Sequence, residues 1–323
     1  MSEPPLLRVR HLTTEFLLAD AGQRARAVED VSFDVYPGQT VGLVGESGCG
    51  KTTVLMSILR LLPANAEIRG QVFFRGIDLL TLTERQMRER RWKDISIVFQ
   101  GAMNALNPVM RVGEQIREAI TLHGLMPPNE AEVRVGELLE LVGIPKERGA
   151  QYPFQYSGGM RQRAMIAMAL ACSPGLLFAD EPTTALDVMV QAQILELLQG
   201  IQRKLGLAIV LVTHDLGVVA EMCDTVVVMY SGKVVEYGPV DVIFNAPQHP
   251  YTQNLLQAFP DLARPGTVLA CIPGAPPRLT DLPPGCRFAP RCPARMQWCD
   301  AEVPILREVQ PAHFAACHLV KDV

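Results

Sequence analysis

The segment starting at Gly45 carries the densest chemistry in this chain. Gly45, Gly50, Lys51 and Thr52 occupy every fixed position of the pattern G-x-x-x-x-G-K-[ST], with Glu46, Ser47, Gly48 and Cys49 between them and Thr53 following. In such a loop the glycines let successive backbone N–H groups curl around phosphate oxygens, and the helix that follows adds the partial positive charge of its N-terminus. The lysine neutralises β- and γ-phosphate charge, and the Thr52 hydroxyl is a ligand for Mg²⁺. A glycine turn that only joined a strand to a helix would need neither Lys51 nor Thr52.

A second candidate lies at the end of an apolar run, Leu176 to Ala179, which closes on Asp180 and Glu181. Asp180 at a strand end can reach a metal through water, and Glu181 can orient or deprotonate an attacking water. Two adjacent acids alone also fit a solvated turn or a helix cap; the phosphate loop upstream favours catalysis. His214 follows another apolar run, Val210 to Val212. The tail holds Cys286, Cys292, Cys299 and Cys317 in the spacing C-x5-C-x6-C-x17-C, with His318 next to the last. Four thiolates suit a metal cluster or Zn²⁺, although the short C-x-x-C hairpins of structural zinc are absent, and unligated thiols are a third reading. Cys49, Cys172, Cys223 and Cys271 read as small buried or loop residues.

These groups need elements to position them. Thr40 to Val44 reads as a buried strand entering the glycine loop, and Val54, Leu55, Ile58, Leu59 and Leu62 continue it at helical spacing up to Pro63. Short β-rich runs cover Leu7 to His11 and Val31 to Val35, and further strands are expected at Ile95 to Phe99, Gly175 to Asp180 and Ala208 to Thr213. A helical block spans roughly Val112 to Leu141. Alternating strands and helices predict an α/β fold with a parallel core. From about Pro247 the texture changes: prolines crowd between Pro260 and Pro293, so regular structure should be sparse there. The boundary is placed near Asn245, giving a nucleotide-binding domain over 1–245 and an extension over 246–323.

The chain has 323 residues, and 30 Lys and Arg against 34 Asp and Glu leave a net charge of -4. There is no global positive field to attract nucleic acid. No basic-then-apolar leader precedes the first strand, and no apolar run reaches the roughly 20 residues a spanning helix needs. The expectation is a cytosolic chain whose membrane role goes through partners.

In this order the motifs resemble those of the ATP-binding cassette (ABC) family. Tyr156, Ser157, Gly158, Gly159, Met160, Arg161, Gln162 and Arg163 are similar to its signature motif, Gln100 to its Q-loop, Thr184 to Asp187 to its D-loop, and Thr213, His214 and Asp215 to its switch histidine. The first signature position, often Leu in the family, is Tyr156 here, and Gly101 follows Gln100 where an acid or amide is usual. The resemblance implies a P-loop NTPase cassette: a RecA-like core, an antiparallel β subdomain, a helical subdomain over about 101–164, and here a Pro/Cys-rich C-terminal extension. It implies an ATPase using ATP and Mg²⁺, with residues 45–53 on the phosphates and Thr52, Gln100 and Asp180 toward Mg²⁺. It implies Glu181 acting on water, His214 on the γ-phosphate and Asp187 near the nucleotide. Ser157 to Gly159 would contact the γ-phosphate held by a partner's P-loop in a head-to-tail dimer. Phe16 is the candidate for stacking on adenine, with an insertion from Leu17 to Ala27 disturbing the register.

Further motifs narrow the resemblance to the ATPases of dipeptide and oligopeptide importers, with nickel and other small-solute importers as the alternative. They are Ala105 to Pro108, Val112 to Ile116, His249 to Thr252, and the tail from Leu282 to Pro293. This implies a second homologous ATPase, two membrane permeases and an extracytoplasmic binding protein, with the subunit on the cytoplasmic face of the inner membrane. It also implies a [4Fe–4S] cluster on the four tail cysteines. A soluble cassette acting on nucleic acid or ribosomes would bring a coiled-coil insertion, zinc modules or tandem cassettes, whereas one P-loop and no sustained heptads are present.

Overall fold

A computed structural model describes residues 3–18, 22–101, 105–184, 186–258 and 272–320. In chain order its elements are β1 (Leu7–Leu17), β2 (Arg24–Val35), β3 (Thr40–Val44), α1 (Lys51–Leu59), β4 (Ala66–Phe74), β5 (Ile77–Asp78), α2 (Glu84–Arg90) and β6 (Ile95–Val98). Then follow α3 (Val112–Leu122), α4 (Pro128–Leu141), α5 (Gly158–Ala169), β7 (Leu176–Asp180), α6 (Val188–Leu205), β8 (Ala208–Val212) and α7 (Leu216–Met222). The last are β9 (Thr225–Tyr230), β10 (Lys233–Pro239), α8 (Val240–Asn245), α9 (Pro250–Gln257), β11 (Arg307–Gln310) and β12 (His313–Ala315). They divide into two compact units: Met1–Val35, Val41–Leu80 and Thr213–Val323 in the first, Tyr36–Thr40 and Thr81–Val212 in the second.

In the first unit, β2, β1, β4 and β5 form an antiparallel sheet in that order. Strand alternation sets its register: Leu7 lies opposite Val35 and Phe74, and Val9 opposite Phe33 and Val72, all six side chains buried. Within the stretch from Leu17 to Ala27, read from sequence as an insertion, the described residues extend the β1–β2 pairing, with Leu17 opposite Arg24 and Phe16 opposite Ala25. Elsewhere in this unit β3 pairs in parallel with β9, β9 antiparallel with β10, β10 with β12 and β12 with β11. The run Val226, Val227 and Val228 gives β9 its β-branched, fully buried surface. The tail is less irregular than its prolines suggest, because β12 borrows the open edge of β10, with Tyr237 stacked on Phe314 at 5.7 Å.

In the second unit β8, β7 and β6 are parallel, with Ile97, Phe178 and Val210 in register. Every residue of β7 and β8 is buried, which is why these strands read as unbroken apolar runs instead of alternating ones. Around them α3 buries Val112, Ile116, Ala119 and Ile120, and α4 buries Ala131, Val135, Leu138 and Leu139, one stripe each at helical spacing. Among the described residues no helix is long and apolar enough to cross a membrane.

Candidate functional site

The phosphate loop belongs to the first unit and is built from backbone geometry. β3 delivers the chain to Gly45, at φ 148°, where an added Cβ would stand 2.2 Å from the Met229 carbonyl oxygen. Gly50, at φ 103°, is the N-cap of α1, and a Cβ there would stand 2.5 Å from the Ala27 carbonyl oxygen. Only glycine fits either position. No side chain caps α1, so its first amides keep their donors for an anion. Lys51 is buried beneath the loop, its Nζ donating to the Gly45 carbonyl at 2.6 Å and the Glu46 carbonyl at 3.1 Å. Cys49 is buried beside it, and burial pushes its thiol pKa up. Ser47, Gly48 and Thr52 are exposed and Thr53 is half-buried.

Residues far along the chain close around this loop. Gly232 donates its N–H to the Cys49 carbonyl at 2.8 Å, and the Glu46 N–H donates to the Tyr251 hydroxyl at 2.9 Å. Tyr251 packs against Tyr230 and Phe288, with ring centroids 4.7 and 5.4 Å away. The Glu46 carboxylate accepts two hydrogen bonds from Arg291, at 2.8 and 3.0 Å. His214 stands exposed in the same unit, next to Asp215, whose carboxylate caps α7 by accepting from Gly217 at 2.8 Å. Phe16 is half-buried on β1, opposite Ala25 and Ala66.

The acids belong to the second unit. Asp180 ends β7 and is buried. Glu181 follows at φ 45°, a left-handed backbone that costs a non-glycine residue about 1–2 kcal/mol and that clusters at functional sites. Its carboxylate accepts from Gln100 Nε2 at 2.8 Å and from the Thr184 hydroxyl at 2.9 Å, while its N–H donates to the Val212 carbonyl at 2.9 Å. Sequence reasoning singled out Gln100 and Glu181 separately and gave Thr184 no role of its own. Ser157 caps α5 by accepting from the Met160 N–H at 3.3 Å, leaving Gly158 and Gly159 as that helix's first residues. Asp187 caps α6, accepting from Val190 at 3.0 Å, and a Cβ on Gly159 would stand 2.7 Å from Val190 Cγ1. Tyr156, the departure from the usual leucine, is buried with its hydroxyl donating to the Arg148 carbonyl at 2.9 Å, and burial raises its phenol pKa to about 12.

The [4Fe–4S] cluster expected on the tail cysteines is not supported. Cys286, Cys292, Cys299 and Cys317 are free, and among the described residues no group of three or more His, Cys, Asp or Glu is placed to hold a metal ion. Burial pushes the Cys286 thiol to about 11 and raises those of Cys292 and Cys317. Order in the tail comes from the β10–β12 pairing and from two arginines. Arg287 reaches Glu29 and the Ser231 carbonyl; Arg291 reaches Glu46. Cys271 lies outside the described residues.

Comparison with known proteins agrees with this geometry. Residues 28–184 match a family described as ABC transporter, and residues 235–299 match one described as oligopeptide/dipeptide transporter, C-terminal region. A probable peptide ABC transporter ATP-binding protein of Sinorhizobium fredii is 50% identical over 98% of this chain and 96% of its own length. The dipeptide transport ATP-binding protein DppD of Bacillus subtilis is 49% identical over 97% and 94%, and the oligopeptide transport ATP-binding protein OppD of Salmonella typhimurium 46% over 97% and 93%. None of these names mentions an iron–sulfur centre. Among solved structures, the ATP-binding cassette MJ0796, a dimer bound to ADP and phosphate, superposes with a TM-score of 0.64 at 28% identity. It covers 72% of this chain and 98% of that one. The chain belongs to the ABC transporter family, as one of its ATP-binding subunits.

Proposed function

We propose that this chain is the ATP-hydrolysing motor subunit of an importer for dipeptides or oligopeptides. The carrying observation is the loop from Gly45 to Thr53: two glycines with no room for a Cβ, an uncapped helix start and a buried lysine, all suited to the phosphates of ATP. The peptide cargo rests on the names of the relatives and on the C-terminal match.

The proposed roles follow residue by residue. Mg²⁺, when bound, draws charge from the phosphate oxygens; Thr52, Gln100 and Asp180 are its proposed ligands, directly or through water. In the first unit the amides of residues 45–53 and Lys51 hold the phosphates, His214 donates toward the γ-phosphate, and Phe16 supplies the aromatic face for adenine. In the second unit Glu181 accepts the proton of the attacking water, and Gln100 and Thr184 fix its carboxylate. Ser157, Gly158 and Gly159 present a helix start to the nucleotide of a second ATPase subunit, near Asp187. Residues 1–245 are proposed as the cassette, with a helical part at about 101–164, and 246–323 as the importer-specific extension. The assembly proposed is two homologous ATPases beneath two permeases, fed by an extracytoplasmic binding protein, which places this subunit at the cytoplasmic face of the membrane.

Glu181→Gln keeps the shape and removes the base. In the assembled transporter, steady-state ATP turnover should fall by about 10²–10³-fold while ATP affinity is retained and the closed dimer accumulates. Unchanged turnover would remove Glu181 from the chemistry. Lys51→Ala should instead weaken nucleotide binding itself.

A further inference from the structure

The phosphate loop carries an acid where a polyphosphate is to bind, and the fold answers it from 245 positions away. Arg291 Nη1 and Nη2 form a fork on the two Glu46 carboxylate oxygens, at 2.8 and 3.0 Å. The guanidinium is itself held from behind: its Nε donates to the Pro273 carbonyl at 2.8 Å, its Nη2 to the Ile272 carbonyl at 3.3 Å, and its Nη1 to the Tyr230 hydroxyl at 3.2 Å. The Arg291 side chain is 6% exposed and that of Glu46 24%, so solvent does little to screen the pair. Pairing with Glu46 raises the Arg291 pKa, so the guanidinium is charged throughout the working range. The Tyr251 hydroxyl takes up the Glu46 N–H on the other side.

A free carboxylate at Glu46 would repel the phosphate charge that the neighbouring amides and Lys51 attract. A forked guanidinium both cancels that charge and fixes its direction. We infer that Arg291 is a positioning residue for nucleotide binding: the C-terminal extension neutralises and holds Glu46 so that the phosphate loop keeps its binding shape. The inference deepens the proposed ATPase role and rests on it for its consequence, though not for the brace itself.

The test uses the full-length chain in four forms: wild type, Arg291→Ala, Glu46→Gln with Arg291→Ala, and His313→Ala. His313 anchors the same extension through its buried contact with Glu236, at 2.8 Å, and makes no bond to the loop. Amide hydrogen exchange of residues 45–51 without nucleotide should speed up by about tenfold in Arg291→Ala, and the Kd for Mg·ATP should rise by about as much. Glu46→Gln should restore much of the affinity in the double variant, a coupling that a purely structural loss does not produce. His313→Ala should leave loop exchange and affinity near wild type even where it lowers the melting temperature. Unchanged exchange in folded Arg291→Ala, equal effects from His313→Ala, or no rescue in the double variant overturns the inference. Should Arg291→Ala not fold, Arg291→Lys, which keeps the charge and loses the fork, replaces it with the same expected direction and the same overturning outcomes. The exchange readout needs no ATP, so it separates failure of the brace from failure of the ATPase reading.

Discussion

The two units hold their chemistry in different ways. In the first, the phosphate loop is a backbone object: two glycine positions have no room for a Cβ, and the loop is closed by Gly232, Tyr251 and Arg291, all far away in sequence. In the second, Glu181 is held by side chains, Gln100 and Thr184, and by one strand neighbour, Val212. A backbone-defined site tolerates no substitution at its turning points. A side-chain network can lose one member and keep its shape.

The sharpest way to break the comparison is Gly50→Ala. Its methyl would meet the Ala27 carbonyl oxygen at 2.5 Å with φ at 103°, so either the loop or β2 must move. Affinity for ATP should drop by about 100-fold or more, read by calorimetry on the purified chain. An affinity within a factor of about 3 of wild type would show that the loop is softer than its geometry implies.

Thr184→Val probes the other unit. It removes one of the hydrogen bonds to the Glu181 carboxylate and keeps the volume. Turnover should fall by about 3–10-fold with the KM for ATP unchanged. A shift in KM with constant turnover would mean that Thr184 serves binding instead.

The smallest effect concerns the support beneath the loop. His249 is fully buried; its Nδ1 accepts from the Tyr251 N–H at 3.0 Å, and its ring lies 5.9 Å from Phe288. Burial lowers its pKa from 6.5 to about 3. As pH falls below about 6.5 the unfolded chain takes up a proton that the folded chain refuses, so stability declines toward acid. Between pH 7 and 5.5 the loss from this one group should be about 1 kcal/mol. Urea melts at the two pH values should show a smaller decline for His249→Asn than for wild type, and equal declines would assign the acid sensitivity to other groups.

What sequence made legible divides along the same line. The loop, its strand and its helix were readable because Gly45, Gly50, Lys51 and Thr52 specify a local backbone path and lie within eight residues. β6, β7 and β8 were readable because buried parallel strands have no polar alternation to disguise them. β9, β10 and the β11–β12 hairpin were not singled out: β12 is three residues long and exists because β10 leaves an edge open. Arg291 was hidden for a related reason. Between Cys286 and Cys292 the cysteines drew attention to metal, while the residue with the long-range bond was the arginine among them. Thr184 lay inside a recognised motif, but its bond to Glu181 depends on the turn at φ 45°, which no residue type announces.

The hydrogen bonds of Lys51 within its own loop have a consequence for how tightly any nucleotide can be held. Its ammonium already has two carbonyl partners inside its own loop, so an incoming phosphate competes with a tethered ligand present at high effective concentration. Binding is therefore an exchange of partners, and the measured affinity is the difference between two occupied states of one lysine. The same two carbonyls are available to the ammonium whenever no phosphate engages it. Acceptors built into the loop thus lower both the net gain of taking up a phosphate and the net cost of giving it up.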